Sequence, residues 1–303
     1  MKHLEVVVLN WNGLEDTRAL LRSLERCRAL EGWSARVTVV DNGSTDGSPR
    51  AIADEFPCVG LVALPENRRF AGGNNEGLKR ALAAGADAVM LLNNDTEADP
   101  ALLERLLLAL EQHPEAGAFA PLIYFGAPSQ RIWYAGGHCR VALGHAAHRG
   151  LRVVDHGQYR SVEPTGYLTG CCLLARREVW ERVGLLDERY FIYAEDADWS
   201  LRARRAGVRL LFVPTARLWH KVGASGGGGV SPWKIYHRLR ANLTLYARHA
   251  HGLARLTWLP AFLLQQAVLA VWLAARGRAD AALALPRGLW DAARRRPPGE
   301  FGS

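Results

Sequence analysis

Four short stretches carry side chains of types and spacings able to do chemistry. In "MLLNNDTEADP", residues 90–100, an apolar run from Val89 to Leu92 ends in Asn93-Asn94-Asp95. A carboxylate fixed at a strand end is the hard oxygen ligand a divalent cation needs when it must also hold phosphates. A strand-ending turn is the plain alternative, since Asn and Asp favour turns and Pro100 follows. Asp41 opens the loop Asp41-Asn42-Gly43-Ser44-Thr45-Asp46-Gly47, where it either accepts hydrogen bonds from a base or ribose or forms an Asx turn. Glu195, Asp196 and Asp198 put three acids in four residues behind Tyr190-Phe191-Ile192-Tyr193. Such acids suit a helix N-terminus, and Asp198 is spaced to pair with Arg202. Aromatic neighbours and the like-charged Glu195 are what would raise Asp196 to the basicity needed to take a proton from an attacking hydroxyl. Lastly, His220-Lys221 follow the apolar segment Leu210–Val213 and precede Gly226–Gly229. A lone His there is commonly structural, but imidazole also suits Mn2+-type sites, and the glycine run suits a lid over an anionic ligand.

The elements that must position these groups read as an alternation. Strands are expected at Val6–Leu9, Arg36–Val40, Val59–Ala63 and Ala88–Leu92, with helices over Leu14–Leu24, roughly Ser48–Phe56 and, following Gly72-Gly73-Asn74-Asn75, to about Ala84. Strands and helices joined by short polar loops imply βαβ units and a parallel sheet, whose ligands bind at the carboxyl ends of the strands. Asn10, Asp41 and Asn93–Asp95 all fall at such ends. Residues 126–160 are rich in Gly and His and read as an insertion or irregular hairpin. His138, Cys139, His145, His148 and His156 match no standard zinc spacing.

The bulk numbers set bounds. The 303 residues, 49% hydrophobic and 22% charged, make one large or two small folded domains. The net charge of +8 is uneven: after residue 200 there are 17 Lys/Arg and 3 Asp/Glu, leaving −6 for the first 200. That argues against a uniform nucleic-acid-coating surface and for a local anionic partner near the C-terminal region. Five cysteines, odd in number and without CxxC spacing, give no disulfide framework. The opening MKHLEVVVLNW has too short an apolar run for a signal peptide, so a cytoplasmic location is the default expectation. Glu300-Phe301-Gly302-Ser303 is set aside as a vector-derived scar.

Taken in order, "VVVLNWNG", "VVDNGSTDGS", "ENRRFAGGNNEG", "MLLNNDTEADP", "GCCLLARREVWERVGLLDERYFIYAEDADWSLRARRAG" and "WHKVGAS" resemble the inverting family-2 nucleotide-sugar glycosyltransferases of GT-A fold, within their rhamnosyltransferase-like bacterial branch. The resemblance covers residues 4–245. It implies an α/β GT-A fold with a Rossmann-like, mostly parallel central sheet flanked by helices. Residues 1–125 would form the nucleotide-sugar half and 126–245 the acceptor and catalytic half, with a helical extension over 246–299. It implies nucleoside contacts from Asn10 and Asp41, with Asn67 and Asn74 in the same pocket. Asn93, Asn94 and Asp95 would form the DxD-type motif, Asp95 binding Mg2+ or Mn2+ under the diphosphate with His220 as second ligand. Asp196 would be the catalytic base beside Glu195, and Lys221 or a nearby Arg would face the departing diphosphate. Two positions depart from the pattern: Asn93 replaces the first acid, weakening the two-carboxylate grip, and the expected Arg-Asn pair is Arg240-Ala241.

The reaction so implied is one inverting displacement from a nucleoside-diphosphate sugar, dTDP-rhamnose or a UDP-hexose, to a glycan or polyprenyl-linked acceptor in bacterial surface polysaccharide synthesis. An inactive relative that still binds glycan or nucleotide sugar is the alternative. A sugar nucleotidyltransferase would need a Gly-rich, basic phosphate loop after the first strand, and Leu9–Gly13 has none.

From Leu256 to Ala275 no residue is charged, while Arg255, Arg276 and Arg278 flank the run. Its length suits a membrane span of about 20 residues, but Pro260, Gln265 and Gln266 weaken that reading. Trp258, Trp272, Arg287 and Arg294–Arg296 fit an interfacial helix on anionic lipid, making peripheral contact through 253–296 on the inner face of the cell membrane. A buried packing helix or a homodimer contact stands against it.

Overall fold

The computed structural model describes residues 1–222 and 231–297; the Gly226–Gly229 run expected to act as a lid lies outside them. The first half alternates as the sequence predicts: β1 (Lys2–Asn10), α1 (Leu14–Leu24), β2 (Trp33–Asp41), α2 (Ser48–Glu55), β3 (Gly60–Ala63), α3 (Arg69–Ala83) and β4 (Ala88–Asn93). Then follow β5 (Thr96–Ala98), α4 (Leu102–Gln112), β6 (Ala116–Phe125), β7 (Ile132–Tyr134), β8 (Gly137–Arg140), β9 (His145–His148) and β10 (Glu163–Pro164). The sheet is completed by β11 (Cys172–Arg176), α5 (Arg177–Val183), α6 (Glu195–Arg205) and β12 (Arg209–His220). Three helices remain: α7 (Pro232–His249), α8 (Ala254–Ala275) and α9 (Ala279–Ala293).

The main sheet runs β10-β12-β6-β11-β4-β1-β2-β3, with β5 on β12 and β7 on β6. β3, β2, β1 and β4 are mutually parallel, and β6 is parallel to β12. β11 is inserted antiparallel between β4 and β6. The carboxyl ends of β1, β2, β4, β6 and β12 therefore share one edge with the start of β11. Near-continuous apolar stretches such as Val6–Val8 and Val89–Leu92 are fully buried because helices cover both faces.

Three details refine the expectations. Gly72-Gly73-Asn74-Asn75, placed ahead of a helix, lie inside it: α3 begins at Arg69. The glycines let this helix lie directly on β1, since a Cβ on Gly73 would come 2.4 Å from Leu9 Cδ1 and one on Gly77 2.3 Å from Val7 Cγ1. Residues 126–160 carry regular strands, with β8 and β9 paired as a separate hairpin. Their histidines build ring contacts: His138 faces His145 at 5.3 Å, and His148 meets Trp133 at 4.4 Å. Thirdly, α8 is no buried helix. Only Phe262 and Leu273 of its 22 residues are buried.

The C-terminal helices pack into the segment that carries α6. The boundary expected at 245/246 falls inside α7, which starts with Ser231 accepting the Lys234 N–H and Pro232 in the first turn. Leu239, Leu245, Tyr246, Phe262, Leu273 and Leu285 form one apolar cluster with Tyr167, Tyr190, Ala197 and Leu201. Asp198 ties the same elements by charge. Fully buried, it accepts from Arg202 at 2.8 Å as the sequence predicts, and from His249 at 2.7 Å, with Arg248 at 3.1 Å.

Candidate active site

The ends of β1, β2 and β4 meet in one hydrogen-bonded floor. Asn10 is fully buried at the end of β1, directly opposite Asp41 in the β1–β2 register. Its Nδ2 donates to Asp41 Oδ2 at 2.7 Å and Ser44 Oγ at 3.2 Å. Its Oδ1 accepts from Thr17 Oγ1 at 2.8 Å and Asn94 Nδ2 at 3.3 Å. Asn94 also donates to Thr17 Oγ1 at 3.0 Å. Asp41 Oδ1 accepts the Ser44 N–H, three residues on, at 2.9 Å, which ties down the Gly/Ser loop. Asn10 thus presents no surface to a nucleoside. It holds Asp41 and Asn94 in place.

Asn42 continues this floor toward α3. Its Nδ2 donates to Asn67 Oδ1 at 3.0 Å and its Oδ1 accepts the Arg68 N–H at 2.9 Å. Asn67 is exposed and also accepts the Arg69 N–H. Asn74 is buried, with its amide on the Phe70 carbonyl of its own helix at 2.9 Å. The structure therefore brings Asn67 to the loop rim and turns Asn74 inward.

Asp95 follows β4, and its main chain is pinned by the Lys221 N–H donating to its carbonyl at 2.9 Å. Pairing of β5 with β12 sets His220 opposite Thr96. That register delivers the imidazole to the carboxylate: His220 Nε2 lies 3.1 Å from Asp95 Oδ1. The ring packs edge-on against Trp133 at 4.5 Å. Its Nδ1 is buried with no hydrogen-bond partner among the described groups. Lys221 turns away to α1, where Nζ bonds Asp16 Oδ1 at 2.6 Å. Half-buried Asn93 donates its N–H to Cys171 O at 2.9 Å, which docks the start of β11 beside β4.

The acid pair opens α6. Tyr193 and Ala194 before it both hold left-handed backbone, with φ of 69° and 68°, a conformation that costs non-glycine residues free energy and clusters at functional sites. Asp196 Oδ2 accepts the Gly170 N–H at 2.8 Å, and Oδ1 accepts the Ala197 N–H. Asp196 stays partly open to solvent, whereas Glu195 is buried with Oε2 unpartnered among the described groups. Burial, then the Asp196 charge, pushes the Glu195 carboxyl far above its usual range. Burial also raises Asp196, opposed by the backbone donors. Burial pushes the Cys171 thiol well up, and the charges of Asp95 and Asp196 both add to it. Neighbouring backbone groups link the two acidic segments: the Gly170 N–H goes to Asp196, and the next carbonyl, of Cys171, receives the N–H of Asn93, two residues before Asp95.

Residues 6–184 match the sequence profile described as Glycosyl transferase family 2. The chain is a family 2 glycosyltransferase. This glycosyltransferase is 31% identical to N-acetylglucosaminyl-diphospho-decaprenol L-rhamnosyltransferase of Mycobacterium tuberculosis, over 71% of this chain and 75% of that one. It is 24% identical to dTDP-rhamnosyl transferase RfbF of Shigella flexneri, over 81% of this chain and 80% of the relative. In fold, the glycosyltransferase is similar to mannosyltransferase PcManGT from Pyrobaculum calidifontis, solved with GDP-Man and Mn2+. The TM-score is 0.56 at 17% identity, covering 96% of this chain and 86% of that one. It also resembles GalNAc-T7 solved with UDP, GalNAc and Mn2+, with a TM-score of 0.63 at 16% identity, covering 81% of this chain but 47% of that protein. The architecture is the GT-A fold.

The donor set of the glycosyltransferase fits a divalent cation. One carboxylate oxygen and one imidazole nitrogen 3.1 Å apart match the spacing of neighbouring ligands around an ion bonded at about 2.1 Å. Among the described residues no group of three His, Cys, Asp or Glu is placed to hold a metal. Several site residues gave no sequence signal. Thr17 looks like any polar helix residue, Gly170 like any loop glycine, and Trp133 lies in a stretch without clear period.

Proposed function

We propose that this glycosyltransferase moves a sugar, with inversion at the anomeric carbon, from a nucleoside-diphosphate donor to a glycan or lipid-linked acceptor in bacterial surface polysaccharide synthesis, in the cytoplasm. The observation that carries this reading is the Gly170-Cys171 backbone, which holds Asp196 at one residue and the Asn93-Asn94-Asp95 strand end at the next, one carboxylate suited to an acceptor hydroxyl and the other, beside His220, to a metal diphosphate. The rhamnosyl relatives favour dTDP-rhamnose as donor, with a UDP-hexose as the second choice. Asp95 and His220 would hold Mg2+ or Mn2+, which when bound supplies Lewis-acid stabilisation of the leaving diphosphate. Two protein ligands leave the remaining positions for substrate oxygens and water. Asn10, Thr17 and Asn94 fix the floor beneath the nucleoside, in which Asp41 is buried with its oxygens on Asn10 and the Ser44 N–H.

At the other side of the cleft, Asp196 takes the proton of the acceptor hydroxyl. The acceptor oxygen bonds the anomeric carbon as the bond from that carbon to the diphosphate oxygen breaks, and the electron pair leaves with the diphosphate. The Gly170 amide and the N-terminus of α6 hold the base in position. Burial keeps Glu195 protonated, so the pair carries one charge and Asp196 alone is the acceptor of the proton.

Thermal unfolding with dTDP, UDP and GDP, each with and without Mn2+ or Mg2+, tests the donor site. One nucleotide is expected to stabilise the wild type only with metal, by about 2.7 kcal/mol at a hundredfold excess over Kd, and Asp95→Ala to abolish the shift. Absence of any shift would sink the donor-site assignment. The inactive-relative reading has one observation in its favour, Asn93 in place of an acid. A metal-dependent shift without release of the nucleotide in the presence of donor sugar and lipid-linked acceptor would select it.

A further inference from the structure

Among the described residues, the outer face of α8 exposes a run of large apolar side chains. Leu256, Leu264, Val268 and Val271 are 74, 67, 62 and 71% exposed, and their spacing puts them along one side of the helix. Leu256 to Val271 spans about 22 Å at 1.5 Å per residue. A continuous apolar stripe of that length on a folded surface marks an interaction site. We infer that this stripe lies in the plane of an anionic membrane surface, with α8 and α9 together forming a monotopic platform.

Charge and side-chain type select lipid over protein. Between residues 254 and 297 there are seven Arg and two Asp, and one of these acids, Asp291, is buried on Tyr236. Anionic headgroups complement that excess. A second copy laid face to face would bring the same arginines together at a cost. Trp272 and Trp290, both exposed, each carry a guanidinium over the ring, Arg276 at 4.5 Å and Arg294 at 4.1 Å. An aromatic ring beneath a cation suits the headgroup level, where one end of the side chain is apolar and the other wet.

The remaining contacts of α8 decide between lying on the bilayer and crossing it. By length and composition the helix is able to span. Its other side, however, is committed to the folded body from end to end. Thr257 Oγ1 donates to Ala142 O at 2.8 Å and Gln265 Nε2 to Leu143 O at 2.7 Å. A Cβ on Gly144 would sit 2.7 Å from Phe262 Cβ, and at the far end Leu273 is fully buried in the cluster with Leu239, Leu245 and Leu285. Loop backbone of this kind is not tolerated in hydrocarbon unless it is enclosed by protein. The helix lies flat.

These contacts also fix the turn between β8 and β9, part of the acceptor half, to the platform. Where the acceptor is lipid-linked, as proposed above, the hairpin is held at the height where its headgroup emerges. That consequence rests on the proposed acceptor class; the membrane contact itself does not.

Sedimentation of the full chain with vesicles of phosphatidylcholine, alone or mixed with phosphatidylglycerol, tests the inference without nucleotide or acceptor. The wild type is expected to pellet with the anionic vesicles, less so in high salt, and to be released by alkaline carbonate. The double variant Leu264→Asp/Val268→Asp should lose about tenfold or more in partition while keeping the wild-type unfolding temperature. Equal sedimentation of wild type and variant, or none, overturns the platform. Retention through carbonate shows a span instead. A dimeric mass by light scattering that the double variant converts to monomer, with no vesicle binding, assigns the stripe to a second copy. Vesicle binding with no nucleotide-induced stabilisation would leave the platform standing and fail the donor site.

Discussion

The two sides of the cleft are built on opposite principles. At the ends of β1 and β2 each polar group is answered by another: Asn10, Asp41, Ser44, Thr17 and Asn94 form one closed set of hydrogen bonds. Around the acid pair and His220, groups are left short. Glu195 Oε2 and His220 Nδ1 are buried without partners among the described groups, and two residues before Glu195 hold left-handed backbone. A satisfied buried network rigidifies what it joins. An unanswered polar atom costs about 1–3 kcal/mol and persists where the fold around it is strong enough to hold it. The floor is thus shaped before any ligand arrives, while on the other side burial has raised the proton affinity of Glu195 and Asp196.

Asp196→Asn offers the largest break in that contrast. Turnover is expected to fall by about a thousandfold, within the range for loss of a general base, while the metal-dependent nucleotide stabilisation remains. A loss below about tenfold would remove Asp196 from the role of base. Asn10→Ala attacks the other side. It strips Asp41 of a donor and leaves Thr17 and Asn94 facing a gap, so urea unfolding should show a loss of about 2–3 kcal/mol. A change under about 0.5 kcal/mol, as at an ordinary surface position, would mean the floor is not preorganised.

The smallest effect sharpens the comparison through pH. Glu195 holds its proton in the folded state up to about 8, against an ordinary value of 4.5, chiefly because it is buried. The folded chain therefore binds a proton that the unfolded chain releases. Stability contributed by the protonated group is complete below 4.5 and declines as pH rises toward 8. Glu195→Gln is expected to flatten that slope and leave the acid side nearly unchanged. An identical slope in wild type and variant would refute the assignment of a protonated Glu195.

Some of this was legible from residue types alone. Asn10, Asp41 and Asp95 stand where apolar strands stop, and a parallel sheet puts such ends on one edge. The Asp198–Arg202 pair followed from helical spacing. Other features carried no local mark. Gly72 to Asn75 has turn composition, yet α3 needs its glycines to lie on Leu9 and Val7, a requirement visible only once helix and strand are packed. Thr17 acquires its role because α1 returns across the end of β1. The lid reading of Gly226–Gly229 lies outside the described residues.

By itself the sequence determined the alternation of strands and helices, the acids and amides at strand ends, and the charge excess beyond residue 200. Each follows from local propensity, hydrophobic period or composition. Tertiary structure alone decided that the entry to antiparallel β11 brings Gly170 to Asp196 and Cys171 to Asn93, that β5 hands His220 to Asp95, and that α8 lies flat on the body. Those outcomes depend on pairing register and on contacts between distant segments, and neither is encoded in the neighbourhood of any one residue.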